Sequence, residues 1–348
     1  MNRTAKIIGL DIAKTVFGMG GIDGNGVPVI KRMVARGDVL QTFANIPATA
    51  VAIEACAGSH FWARELTKLG HEVKLIAAQH TRRYVSGNKN DKNDALAIAE
   101  ARSRAKTTYV PINTEAQQDL QMLIRSRQAL VVERTGMINR IRAFAAEYGQ
   151  VFPVGVAKFL AGIRDWLSDS GNGLSGSALA TFQELREQLA DKDKRLEVYD
   201  ARLKAAVKGS ARAAQLMEVP GIGPITATAV MAAVSDARHY SDGRDFAANL
   251  GLVPKEHSSG GKQRLYGISK RGDTYLRTLL IHGARSALRV AGDKPDKMLQ
   301  WAKKVQERRG YNVAAVALAN KMARVIWAIL AHDRDYVPVW SKNTTSPA

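Results

Sequence analysis

The chain has 348 residues, with 46% hydrophobic and 24% charged residues, which is ordinary for a folded protein long enough for two domains. Its 51 Lys and Arg against 32 Asp and Glu give a net charge of +19, which argues for a polyanionic partner and against a generic solubilising surface of mixed sign. The one cysteine, Cys56, rules out an internal disulfide and a Cys-based zinc cluster, and its apolar surroundings predict a buried, inert thiol.

The first hundred residues alternate between strand and helix patterns. The run Lys6–Ile12 predicts a buried strand holding one carboxylate, Asp11. Val16–Ile22 and Val27–Val34 predict two more strands, joined through the turn Asp23-Gly24-Asn25-Gly26. A short helix at Asp38–Ala44 precedes a fourth strand, Ala50–Ala55, with Glu54 inside it. Phe61–Leu69 predicts a helix closed by Gly70, Glu72–Ala77 a fifth strand, and Asp91–Arg104 an Ala-rich helix. Three strands followed by helix, strand, helix, strand and helix is a ribonuclease H-like α/β order.

In that order the fourth strand lies beside the first, so Asp11 and Glu54 become neighbours. Asp91 and Asp94 are three residues apart and share one helix face. Carboxylates in apolar strands repel unless a cation compensates them. Four hard oxygen donors from three elements suit Mg²⁺ or Mn²⁺, and such a site activates phosphodiester chemistry. Taken singly, each acid reads better as a turn or cap residue; taken together, in these elements of a basic protein, they read as a metal site.

Asn113 to Gly149 reads as one long helix carrying Arg125, Arg127, Arg134, Arg140 and Arg142, and Phe152–Trp166 as a shorter one. A Ser/Gly/Asp/Asn loop at Ser168–Gly176 marks a boundary. Beyond it, Phe182, Leu185, Leu189, Leu196, Tyr199, Leu203 and Ala206 form a narrow stripe with Lys192 in one polar slot. This predicts a coiled coil; the alternative is an amphipathic helix packed on its own domain.

Pro220-Gly221-Ile222-Gly223-Pro224 between two helical runs fits a helix-hairpin-helix, with Gly221 and Gly223 offering backbone N–H groups to a DNA phosphate. Lys255 to Arg309 holds fourteen basic and five acidic residues. Overlapping its start, Pro254 to Lys262 is a loop with Ser258 and Ser259 beside glycines and cations; by composition it reads first as a phosphate-binding or capping loop, and alternatively as one whose hydroxyl approaches and attacks a phosphate. His257 is a weaker base candidate. The helix from Thr274 is expected to carry Leu276, Leu279, Leu280 and Ala287 inward and Arg277, Arg285 and Arg289 outward. Lys262, Arg264, Lys270, Arg271 and Arg277 are the expected nucleic-acid contacts. Val313 to Leu330, interrupted by Asn320, Lys321 and Arg324, predicts a packed helix and not a membrane span. No signal segment is visible, so a cytoplasmic location without membrane contact is expected. The domain reading is 1–150, a linker helix and coiled coil over 151–209, a helical domain over 210–335, and a flexible tail over 336–348.

These motifs resemble the insertion-sequence transposases with a RuvC-like DEDD domain, a group that includes the Piv-type DNA invertases. The resemblance rests on Gly9-Leu10-Asp11-Ile12-Ala13-Lys14, Ile53-Glu54-Ala55, Asp91-Lys92-Asn93-Asp94-Ala95, Pro220-Gly221-Ile222-Gly223, Gly251-Leu252-Val253-Pro254 with His257 to Lys262, and Ile268 to Arg277. It implies a RuvC-like domain, a coiled coil and a mainly helical transposase domain. It also implies Mg²⁺ on Asp11, Glu54, Asp91 and Asp94, and a serine that links covalently to DNA. Measured from Pro254, the family's Ser-Gly pair falls on Ser259-Gly260, with Ser258 adjacent. Further implications are a homo-oligomer, dimer or tetramer, in which one subunit's carboxylates meet another's serine, and a structured guide RNA encoded in the element. No sequence-reading helix module is apparent, which is compatible with recognition by base pairing. The competing readings are a Holliday-junction-type nuclease using water, a sugar-kinase-like ATPase, for which a second phosphate loop is missing, and a nucleic-acid-packaging protein, which leaves the four acids unexplained.

Overall fold

The computed structural model describes residues 4–85, 90–104, 107, 109–292 and 295–338. Two compact units emerge, one formed by residues 1–115 with 234–239, the other by 116–233 with 240–348.

The N-terminal unit runs β1 (Ile7–Asp11), β2 (Val16–Ile22), β3 (Pro28–Ala35), α1 (Val39–Ala44), β4 (Ala50–Glu54), α2 (Ser59–Lys68), β5 (Glu72–Ile76), α3 (Ala78–Thr81), α4 (Asp91–Ser103) and β6 (Tyr109–Val110). The sheet order is β3-β2-β1-β4-β5-β6, with β1, β4 and β5 parallel and the others antiparallel to their neighbours. This is the expected order, with the edge strand β6 added. β6 was not legible because two residues carry no periodicity.

Strand alternation sorts the side chains between the two faces. Ile8, Leu10, Val51, Ile53, Val73 and Leu75 lie in one apolar core with Val39, Phe43, Trp62, Ala63 and Leu66 of α1 and α2. The other face carries Gly9, Asp11, Gly18, Gly20, Ala52 and Glu54, and α4 lies across it, chiefly over β1 and β2. α4 comes very close. A Cβ on Gly9 would lie 2.0 Å from the Ala95 carbonyl oxygen, one on Gly18 2.3 Å from that of Asp91, and one on Gly20 2.6 Å from the Leu96 nitrogen. The glycines therefore make room for the backbone of α4 itself, and Ala95 and Ala99 complete the contact.

Cys56 corrects its expectation. It lies two residues beyond the end of β4 and is exposed. Its thiol is pushed above the usual thiol range, first by partial desolvation and then by the carboxylates of Glu54 and Asp11.

The C-terminal unit is helical apart from one hairpin. It contains α5 (Glu115–Ala146, of which Glu115 counts with the first unit), α6 (Val156–Ser168), α7 (Gly176–Lys208), α8 (Ala211–Met217), α9 (Pro224–Ala233), α10 (Gly243–Asn249), β7 (Pro254–Glu256), β8 (Leu265–Ile268), α11 (Thr274–Arg289), α12 (Lys297–Arg309) and α13 (Tyr311–His332). α13 is the long apolar helix among the described residues of the unit, and α9 is a shorter one. It packs against α10, α11 and α12 and buries Leu318, Met322, Ile326 and Ile329. By length and composition alone it would span a membrane, yet a run of its side chains is spent on this packing.

The stripe of α7 packs within its own unit, the alternative that the sequence left open. Phe182 and Leu189 are buried in one cluster with Met137, Ile138 and Ile141 of α5 and Phe159 and Ile163 of α6. Leu196 and Leu203 are buried as well. Arg127 pairs with Asp200 and Arg134 with Asp193, so α5 and α7 run antiparallel with charge pairs one heptad apart. Lys192, in the polar slot, reaches Glu133 at 2.6 Å. The stripe is covered by this chain's own helices. Arg142 also turns inward, donating to the carbonyls of Phe152 at 2.6 Å and Pro153 at 2.7 Å.

The tail is held at its start: the Tyr336 hydroxyl donates to Asp296 at 2.6 Å, and the Pro338 carbonyl accepts from the Lys297 amide at 3.0 Å. Residues 339–348 of the expected flexible tail lie outside the described residues.

Gly9→Ala is expected to push α4 off the sheet and to destabilise the protein by about 1–3 kcal/mol, read as a fall of several degrees in Tm. Gly24→Ala, where the nearest foreign atom to a new Cβ is 4.0 Å away, is expected to leave Tm unchanged. Equal Tm values for the two variants would contradict the close-approach account.

Candidate functional site

The acidic site is assembled from strand ends and one helix N-terminus. Leu10 pairs with Ile53 in the parallel β1–β4 register, so Asp11 and Glu54 end adjacent strands on the same face. Asn90 caps α4, its side chain accepting from the Asn93 amide at 2.9 Å. The cap is thus filled by Asn90, and Asp91 and Asp94 sit in the first turn with their carboxylates available. Single carboxylate oxygens of Asp11, Asp91 and Asp94 lie within 4.8 Å of one another. Asp11 and Asp94 are half-buried and Asp91 is exposed.

Of the four expected carboxylates, the structure brings these three together. Glu54 is not within that group, and its Oε2 accepts a hydrogen bond from the hydroxyl of Thr81. Thr81 is 2% exposed, at the end of α3. No sequence pattern marks it, since a Thr after a strand is unremarkable until the fold brings it to the end of β4. Three like charges this close favour a cation among them, and an all-oxygen donor set fits a hard divalent ion.

A second set of candidates lies in the C-terminal unit. β7 and β8 pair antiparallel, and an isolated bridge joins Ser259 to Lys262. The turn between them is Gly260-Gly261, with φ of 57° and 73°, which is the left-handed pair a type I′ hairpin turn requires. Ser258 and Ser259 differ in their bonding. The Ser258 hydroxyl donates to Glu256 at 2.6 Å and accepts from the Arg264 amide at 3.2 Å. Ser259 is exposed at the turn beside Lys262.

The base of the hairpin is fixed by close backbone packing. A Cβ on Gly272 would lie 1.8 Å from the Asn249 carbonyl oxygen, and one on Gly251 2.3 Å from that of Arg271. Arg277 corrects its expectation as an outward nucleic-acid contact. It is only 6% exposed. Its guanidinium donates to the carbonyls of Leu250 at 3.0 Å and Arg271 at 2.7 Å and to the Thr274 hydroxyl at 3.0 Å, so it ties the two ends of the hairpin together. Lys262, Arg264, Lys270 and Arg271 are exposed, as are Arg285 and Arg289. Gly221 is pressed against α11: a Cβ there would lie 2.4 Å from the Gly283 carbonyl oxygen, whereas nothing lies within 4 Å of one on Gly223.

The sheet order and the acidic cluster fit a DEDD-type transposase domain with a RuvC-like fold, and the family comparison shows that class. The DEDD transposase domain model named for IS110 matches residues 8–149, and the model described as the transposase of the IS116/IS110/IS902 family matches residues 213–300. The chain is 45% identical over 332 residues to a probable family 20 transposase of Pseudomonas aeruginosa, covering 95% of this chain and 98% of that protein. It is 43% identical over 331 residues to the transposase for insertion sequence element IS1111A of Coxiella burnetii, with coverage of 95% and 91%. It is 37% identical over 325 residues to the transposase for insertion sequence element IS1328 of Yersinia enterocolitica, with coverage of 93% and 96%. The chain therefore belongs to the IS116/IS110/IS902 transposase family, and DNA is its partner.

Two predictions follow from the acidic site. Asp91→Asn is expected to raise Tm in chelator, because it relieves repulsion within the cluster, and to abolish the Tm gain on adding Mn²⁺. A variant that still gains the wild-type increment would show that the cluster is not the ion site. Thr81→Val is expected to weaken Mn²⁺ binding in calorimetry about tenfold, with Thr81→Ser restoring it. A Thr81→Val protein that binds like wild type would remove Thr81 from the site.

Proposed function

We propose that the chain cuts and rejoins the DNA strands of a mobile insertion sequence, using Mg²⁺ or Mn²⁺ on its carboxylates and Ser259 as the nucleophile. The observation that carries this reading is the convergence of Asp11, Asp91 and Asp94 within 4.8 Å in a basic protein of this family. Asp11, Asp91 and Asp94, with Glu54 beside them, would hold the ion. A divalent cation there supplies Lewis-acid stabilisation of the charge that develops on the phosphodiester oxygens.

The residues of the chain do the rest. The Ser259 oxygen attacks phosphorus and loses its proton. The bond from phosphorus to the leaving deoxyribose oxygen breaks, and that oxygen takes up a proton. The phosphoserine link keeps the energy of the diester, and attack by the incoming strand's hydroxyl reverses the step and frees the serine. Support for Ser259 over Ser258 comes from their surroundings: the Ser258 hydroxyl is engaged by Glu256, while Ser259 flanks the turn beside Lys262. Lys262, Arg264, Lys270 and Arg271 bind phosphates on either side of the reacting one. Gly223, in the turn between α8 and α9, offers a further backbone contact, and Gly221 shapes that turn.

The remaining parts of the reading rest on the family resemblance and the charge of +19. The protein acts as a homo-oligomer, dimer or tetramer. A structured RNA encoded in the element selects the donor and target DNA by base pairing, and the basic surface carries both nucleic acids.

The decisive experiment incubates labelled DNA of the joined element ends with protein, Mg²⁺ and RNA transcribed from the element's flanking non-coding region. A denaturation-resistant protein–DNA band is expected for wild type and Ser258→Ala and is lost in Ser259→Ala. Nicked DNA without a band in any variant would overturn the serine mechanism in favour of a metal-dependent nuclease using water.

A further inference from the structure

The β7–β8 hairpin has two chemically different faces. Its register pairs Ser259 with Lys262 and Glu256 with Leu265, and the His257 amide donates to the Arg264 carbonyl at 3.0 Å. Alternation along each arm then places His257 and Ser259 on one face with Lys262, Arg264 and Tyr266. Glu256 and Ser258 fall on the other face with Leu265. Two contacts agree with this sorting. The Ser258 hydroxyl bonds to Glu256. The rings of His257 and Tyr266 meet edge to face, with centroids 5.6 Å apart and planes at 80°.

Tyr266 is 55% exposed on the hairpin. Between Pro254 and Gly272 the chain carries five Lys or Arg residues and a single acid, Glu256. An uncovered aromatic ring among cations, two residues beyond Arg264, matches the composition of single-strand nucleic-acid sites. There, cations hold the phosphates and the ring takes a base. A protein partner would instead meet a strongly cationic strip with little apolar area.

We propose that His257 and Tyr266 form a stacking platform for one unpaired DNA base on the Ser259 face of the hairpin. Tyr266 stacks on the base, and His257, buttressing the ring from the side, fixes its plane. Lys262 and Arg264 bind the phosphates flanking that nucleotide. The platform thereby sets the register of the strand along the hairpin. This deepens the reading of Ser259 as nucleophile and rests on it only for the consequence that the stacked base lies beside the cut phosphate.

The test uses the full chain and a DNA duplex with a short central bubble holding 2-aminopurine, whose fluorescence falls when the base stacks. Wild type and Tyr266→Phe are expected to quench the probe on binding. Tyr266→Ala is expected to lose most of the quench and to bind the bubble about tenfold more weakly, with binding to fully paired duplex and Tm unchanged. Ser259→Ala is expected to quench like wild type, so a failure of the serine mechanism and a failure of the platform give different results. Undiminished quenching in Tyr266→Ala overturns the platform. Quenching seen only with the same bubble made of RNA also overturns it.

Discussion

The acidic site exists because a helix backbone lies directly on a sheet. Side chains normally hold a helix about 10 Å from the sheet beneath it, too far for first-turn carboxylates to join one on a strand. Here Gly9, Gly18 and Gly20 remove the side chains from adjoining positions of β1 and β2, and α4 answers with Ala95 and Ala99. Asp91 and Asp94 then arrive over the end of β1, where Asp11 waits. The repulsion among three carboxylates opposes this approach, and the packing of α4 on the sheet offsets it. Glu54, at the end of the neighbouring strand, is oriented by its bond to Thr81.

The hairpin of the C-terminal unit achieves a different kind of precision. Its base is locked by backbone crossing at Gly251 and Gly272 and by the buried guanidinium of Arg277. Its tip turns in two residues because Gly260 and Gly261 accept positive φ. A two-residue turn leaves no slack, so neighbouring serines are driven to opposite faces. One hydroxyl is absorbed by Glu256 and the other is presented among cations. A single-residue insertion in the turn would exchange or blur those roles without altering any functional residue.

The strand order and the acidic motif were legible because buried parallel strands and an Asp-x-x-Asp helix start leave local patterns in the chain. What failed to show was whatever depends on which surface covers which. The stripe of α7 has the spacing of a coiled coil, and spacing says nothing of whether the partner is another copy or, as found, α5 and α6 of the same chain. Arg277 looked like one more outward cation, yet it stands at helical spacing from Leu280 and Ala284, both buried. The periodicity was therefore available, and the charge concealed it. Cys56 follows an apolar strand, but burial ends where β4 ends. Thr81 and the His257–Tyr266 pair carried no signal, because each gains meaning only from a contact made in three dimensions.

The two sites carry opposite charge, and that contrast narrows what the protein can work on. A carboxylate cluster repels a phosphodiester and admits it only through a cation. A hairpin face of Lys262, Arg264 and a hydroxyl attracts the same group without one. A small acidic metabolite would satisfy the hairpin and need no cluster, while a metal-storage role would need the cluster and no basic hairpin. A nucleic-acid strand meets both requirements, because each bridging phosphate is an anion to be gripped and a bond whose breaking needs charge stabilised. Alternation on the hairpin adds a condition that a compact phosphate does not meet, since Tyr266 lies on the same face at a distance set by the strand repeat. On the reading proposed above, the ligand is a polymer with flat groups spaced along its phosphates, as a DNA strand opened for exchange would be.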